Sequence, residues 1–147
     1  MKENLIARAS ITIQVPGSKV WHALVDPEAV KKYMFGTDVA SDWYEGSPIT
    51  WSGVWQGKPY KDKGVILQFK PGRMIQYSHF SPLSGLADEP ENYHTVTISL
   101  SDEGTRSLVV LTQDNNATSD EVEHSSKNWE MMLASLKEYL ETKPASE

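Results

Sequence analysis

Residues 5–33 read "LIARASITIQVPGSKVWHALVDPEAVKKY". Up to Val15 the odd positions (Leu5, Ala7, Ala9, Ile11, Ile13, Val15) are apolar, and the even set is more polar. A period of two predicts a half-buried strand. Pro16-Gly17 ends it. Ser18 is placed to cap a short helix carrying Val20, Trp21, Leu24 and Val25. Asp26-Pro27-Glu28 then restarts a helix: Asp accepts orphan N–H groups, Pro suits the first helical position, and Glu favours the positive helix end. Val30, Tyr33 and Met34 give this second helix an apolar side, and Gly36 can end it.

Working outward, the middle of the chain is strand-like. Strands are expected at about 48–56, 61–70, 73–80, 93–101 and 106–114, with a short one near 38–41. Gly57-Lys58-Pro59, Pro71-Gly72 and Asp102-Glu103-Gly104 supply turns between them, so the spacing suggests an antiparallel meander. Residues 81–92, "SPLSGLADEPEN", form a long loop, and long ordered loops are often functional. The chain then offers a long helix. Thr118 and Glu121 fit a capping box, and Val122, Trp129, Met132, Leu133, Leu136 and Leu140 recur at helical spacing before Pro144 marks the end. Residues 119–142 would extend about 36 Å, enough to cross a small sheet. Trp129 and Leu133 are expected on the inner side, with Trp129→Ala costing about 3–5 kcal/mol if the site cannot collapse.

With 147 residues and no linker, repeat or low-complexity segment, the chain reads as a single domain over 1–147, its core at about 5–141. No apolar run approaches the roughly 20 residues that span a bilayer, so no membrane span is expected. The N-terminus lacks the apolar centre of a signal peptide, which makes the cytoplasm the expected location. The absence of cysteine agrees with that, and it excludes disulfides, thiolate metal sites and a cysteine nucleophile. A net charge of −6 argues against a nucleic-acid partner.

A strand, two short helices, six further strands and a long amphipathic helix give the helix-grip order, an α+β class. The blocks "VPGSKVWHALVDPEAVKKY", "SDWYEGSPITWSG", "KGVIL…PGRMIQYSH" and "NWEMMLASLKEYLE" together resemble the START-like (SRPBCC) superfamily. More narrowly, they resemble the family named for the C-terminal domain of the heat-shock-protein-90 ATPase activator. The resemblance covers about residues 5–141. It implies a curved antiparallel sheet wrapped around the last helix, with an apolar cavity between them. The superfamily includes lipid carriers, hormone receptors, polyketide cyclases and domains without known activity, so fold alone does not settle function.

Three of five tryptophans fall within residues 42–55. On a strand, Ile49, Trp51, Gly53 and Trp55 project to one face. Trp43 precedes that strand beside a turn. The indoles either close one end of the core or line the cavity, and the alternation does not decide between these. Ile75, Tyr77 and His79 share one strand face; His94, Val96, Ile98 and Leu100 share another. Buried Tyr and His need partners, which Tyr77 and His79 would find in each other or in the backbone. A cavity with a few such polar groups is the usual ligand-site design, at about 300–1,000 Å³. The cavity-lining set expected from these faces is Trp51, Trp55, Tyr77, His79, His94, Val96, Trp129, Met132 and Leu133.

Other motifs carry less. Glu91-x-x-His94 and Glu121-x-x-His124 have di-iron spacing, but that chemistry needs facing helices with further carboxylates. Gly53 to Lys58 is too short for a phosphate loop, and Pro59 stands where Ser or Thr is required. No G-x-S-x-G elbow occurs. Asn116-Ala117-Thr118 is a formal glycosylation sequon. Lys58, Lys61 and Lys63 read as a solvated hairpin edge that discourages sheet pairing. Asp42, Glu45, Asp88 and Glu91 read as surface carboxylates. No metal site, cofactor motif or catalytic constellation emerges.

Three functions compete. The leading one is a module binding an apolar or amphipathic small molecule between sheet and last helix, oriented by Tyr77 or His79. The second, implied by the resemblance, is an interaction domain that stimulates a chaperone ATPase. The single domain read here leaves no room for the extra N-terminal domain through which the eukaryotic activator also engages its chaperone. The third is a cyclase-like or hydrolytic enzyme using Tyr77, His79 or His94 in the same cavity.

Overall fold

The computed structural model describes residues 5–55, 57–82 and 85–142, apart from the side chains of Trp55 and Thr142. Pro144, expected to end the last helix, lies outside the described residues. The element order is β1 (Leu5–Ile13), α1 (Gly17–Val25), α2 (Pro27–Tyr33), β2 (Asp38–Ser41), β3 (Pro48–Trp55), β4 (Lys58–Lys70), β5 (Met74–His79), β6 (His94–Asp102), β7 (Ser107–Asn116) and α3 (Ser119–Thr142). The strands form one curved antiparallel sheet in the order β1-β7-β6-β5-β4-β3-β2. The fold is the expected α+β helix-grip.

Sheet order explains the two short helices. β1 and β2 are opposite edges of the sheet, so the chain between them must cross its open side, and α1 and α2 make that crossing. Asp26 caps α2 by accepting from the Glu28 N–H at 3.2 Å, with Pro27 in the first turn. Ser18 does not cap α1. The strand exit puts Pro16 at that position, its carbonyl accepting from the N–H of Lys19 at 3.1 Å, and Ser18 falls inside the helix. Lys58 and Pro59 are likewise strand residues, already paired with Trp55 and Val54, and Gly57 at φ +80° sits at the reversal. A positive φ is readily available only to glycine. Lys63 is not at an edge either: it pairs with Thr50 on one side and Phe80 on the other.

Alternation sorts the sheet's faces. Ala7, Ala9 and Ile13 of β1, Ile49 and Trp51 of β3, Val96, Ile98 and Leu100 of β6, and Val109 and Leu111 of β7 are all buried. α3 closes this face with Met132, Leu133 and Leu136. Burial of large aliphatic side chains contributes about 1.5–3 kcal/mol each. Thr118 caps the helix, its hydroxyl accepting from the Glu121 N–H at 3.1 Å.

The far end of α3 is tied to β1 by polar contacts. Lys137 Nζ donates to the Thr12 carbonyl at 2.9 Å and pairs with Glu141, whose carboxylate also accepts from the Gln14 N–H at 2.8 Å. Lys137 first, then the Gln14 amide, hold the Glu141 carboxyl below its ordinary value of 4.5. A depressed carboxyl adds stability that is present above the ordinary value and is lost as pH falls below it. A carbon-13 titration should therefore place the Glu141 midpoint below 4.5, with the Gln14 amide shift following the same curve. A midpoint at or above that value contradicts the clamp.

Candidate functional site

Between the sheet, α2 and α3 lie two small spaces. The inner void is about 30 Å³, room for one or two waters. Leu24, Val30 and Tyr33 from the helices and Val39, Ile49 and Ile75 from the strands surround it, with Trp43 at its rim. The second space, about 210 Å³, opens to solvent beside it, and Thr37, Tyr60, Asp62 and His79 line it. Met34, Trp51, Tyr77 and Trp129 form a wall common to both. Among the described residues no single chamber of the expected size is formed, and the buried Tyr33 and Tyr77 rings occupy much of the interior. Burial pushes both phenols above their ordinary value of 10, so each stays a neutral O–H.

The mouth is built by strand register. Trp51 pairs with Asp62 and Gly53 with Tyr60 across β3 and β4, so all four share the inner face. Gly53 leaves room for the Tyr60 ring: a Cβ there would lie 2.9 Å from the Tyr60 hydroxyl. That hydroxyl is 2.6 Å from Thr37 Oγ1. Trp51 packs against Tyr77 at 4.9 Å between ring centroids and edge-on to His79 at 5.1 Å. His79 Nε2 lies 2.9 Å from Asp62 Oδ2. Both side chains are mostly covered, at 27 % and 20 % exposed. Asp62 Oδ1 is buried with no hydrogen-bond partner among the described residues.

The residues expected to line a cavity divide four ways. Trp51, Tyr77, Trp129 and Met132 border one or both spaces, and His79 borders the mouth. Val96 and Leu133 sit in the packed core, each 1 % exposed. His94 is 2.7 Å from the Asp114 carbonyl through Nδ1, at a ring distance of 6.4 Å from His79. The side chain of Trp55 lies outside the described residues. Trp129 is half-buried rather than fully inside, and its indole N–H donates to the buried Gln113 Oε1. His79 is satisfied by Asp62, not by Tyr77 or the backbone as expected. Asp62 was not singled out in the sequence. Its signal is the alternation Tyr60, Asp62, Gly64, Ile66, which puts a carboxylate on the inward face of β4. Trp43 both borders the void and packs near Phe69, with ring centroids 6.5 Å apart, at an unusual φ of 58°.

Outside this site, Lys63 pairs with Asp88, which also accepts from the Tyr93 hydroxyl at 2.6 Å. Lys63 first and Tyr93 next hold the Asp88 carboxyl below its ordinary value. Asp88 is thus a loop anchor. No helix among the described residues is long and apolar enough to cross a membrane.

Comparison with known proteins places this geometry in a family. Among curated proteins no sequence match was found. Among solved structures, ChR145 from Cytophaga hutchinsonii is 56% identical, covering 97% of this chain and 98% of its own, with a TM-score of 0.85. The Aha1 dimer of Colwellia psychrerythraea is 21% identical over 93% of this chain and 96% of that one, at 0.72. CalU16 of Micromonospora echinospora is 21% identical over 97% and 86%, at 0.69. The latter two show the shared fold alone. The family model described as "Activator of Hsp90 ATPase homolog 1-like protein" matches residues 14–141, most of the chain, with the START-like architecture described above. The chain belongs to that family.

Proposed function

We propose that this chain is a binding module that takes one small apolar or amphipathic molecule at the mouth between β3–β5 and α3. The observation that carries this reading is the 210 Å³ open space, where aromatic rings of Trp51, Tyr77 and Trp129 meet one polar pair, Asp62 and His79. Apolar walls with a few converging polar groups are the general form of a small-molecule site. The space is below the roughly 300–1,000 Å³ of typical pockets, which limits the fit to one small ring system unless α3 shifts outward. His94 has its Nδ1 turned to the Asp114 carbonyl, so it supplies structure to β6 and β7 in this reading. Val96 and Leu133 support the site from the core.

Titration with a neutral aromatic such as propylbenzene tests it. Binding should quench tryptophan fluorescence and raise the melting temperature by mass action, since the ligand selects the folded form. Native mass spectrometry of freshly purified protein should also retain a small molecule. A clean apo mass, with no thermal shift at saturating propylbenzene, would falsify the reading. The family's description supports a second reading, in which the chain contacts a chaperone and stimulates its ATPase. An ATPase assay with the purified chaperone separates the two, because the first reading predicts no stimulation.

A further inference from the structure

We propose that Asp62 makes the mouth selective for an amine, a small aromatic or apolar molecule carrying one ammonium group, and selective against carboxylates. This rests on the mouth being the binding site and names what that site prefers.

One oxygen of Asp62 is unmatched among the described residues. Asp62 Oδ2 is engaged by His79, but Oδ1 is buried and has no partner. A buried acceptor without a donor is costly, more so on a charged group. The groups around it do not supply one. Thr37 and Tyr60 are bonded to each other. Lys61 and Lys63 flank Asp62 in sequence but project to the opposite face, where Lys63 pairs with Asp88. Trp129 gives its indole N–H to Gln113. Asp62 and His79 are the carboxylate and the imidazole among the residues lining the mouth, and the rest are the phenols of Tyr60 and Tyr77, the indoles of Trp51 and Trp129, Met34 and Thr37.

Asp62 lines the mouth with 20 % of its side chain exposed while Oδ1 itself is covered, so a ligand meets a carboxylate that accepts and cannot donate, and reaches Oδ1 by a small shift of that side chain. An ammonium satisfies it with a charge-assisted hydrogen bond, about twice as strong as a neutral one. The faces of Trp51, Tyr77 and Trp129 add a second attraction that a hydroxyl does not gain, since indole and phenol rings favour cations. The chain's net charge of −6 draws cations toward it. A carboxylate ligand brings a second negative charge beside Oδ1 and leaves the oxygen still without a donor. Binding should rank amine, alcohol, hydrocarbon, carboxylate.

The test titrates the full chain with phenethylamine, 2-phenylethanol, propylbenzene and 3-phenylpropionate, four heads on one ring, read by calorimetry and by nitrogen-15 shift mapping. The amine should bind about tenfold or more tighter than the carboxylate, with shifts centred on Trp51, Asp62 and His79. In Asp62→Asn the amine's advantage over the alcohol should fall to about threefold or less, while propylbenzene affinity holds. Equal or tighter binding of 3-phenylpropionate by the unmodified chain overturns the proposal, and that comparison needs no variant to fold. An Asp62→Asn protein that keeps the full amine preference overturns it too. Propylbenzene binding without any head-group preference removes the amine selectivity and leaves the binding module standing. If none of the four binds, the binding module itself falls.

Discussion

Replacing Gly64 with alanine is expected to destabilise the fold by about 3 kcal/mol or more. A Cβ at this position would lie 1.7 Å from the Ser78 carbonyl oxygen and 2.6 Å from its carbon. Those atoms are backbone, so neither can rotate away as a side chain would. The close approach is where β4 leaves regular pairing with β5: Lys63 bridges Phe80, the Val65 N–H goes to the Ser78 hydroxyl at 3.0 Å, and the Ile66 N–H goes to the Ser47 carbonyl at 2.9 Å. Glycine in a strand often marks such an approach. Pushing the strands apart would also separate Asp62 from His79, which lie on either side of this crossing. Gly72→Ala is the matched control. It has open space around its Cβ but sits at φ +79°, so only the backbone penalty of about 1–2 kcal/mol applies. Urea unfolding of both variants checks the difference, and a Gly64→Ala loss under about 1 kcal/mol would show that the crossing is looser than this geometry.

Much of this architecture is legible in the sequence because it rests on local chemistry. The strand periods, the Asp26-Pro27 restart and the Thr118 cap each involve residues close along the chain. Where the structure differs, at Ser18, the reason is also local: the strand's exit puts the Pro16 carbonyl at the cap and leaves the serine inside the helix. The site is less legible because it depends on distance between layers. Trp51 and Tyr77 follow from strand alternation and Met132 from the helical period, which say where a side chain points but not how much space remains in front of it. That space is small because Tyr33, from a helix, and Tyr77, from the sheet, are both buried in the same interior. Asp62 stands among lysines that suggest a solvated edge; alternation gives its inward side, and the pairing with Trp51 brings it to His79.

Leu133→Ala is expected to cost about 2–5 kcal/mol, and Trp129→Ala distinctly less, about 1–2 kcal/mol, although tryptophan is far the larger side chain. The order follows from what each would leave behind. Leu133 is 1 % exposed at the centre of the α3 interface, beside Met132 and Leu136, so its removal opens a cavity that no solvent can enter without loss. Trp129 is half-buried at the mouth, where water can replace the ring, and the loss that remains is the indole N–H bond to the buried Gln113 oxygen. Its truncation should instead widen the mouth, weakening ligands that stack on the indole while admitting bulkier ones. Denaturant unfolding of the two variants gives the stability order, and propylbenzene titration of Trp129→Ala gives the binding change. Should Trp129→Ala prove the more destabilising of the two, the indole is a core strut of the fold and not the wall of a solvent-facing site. The mouth would then lose one of the three aromatic faces on which its ligand selectivity depends.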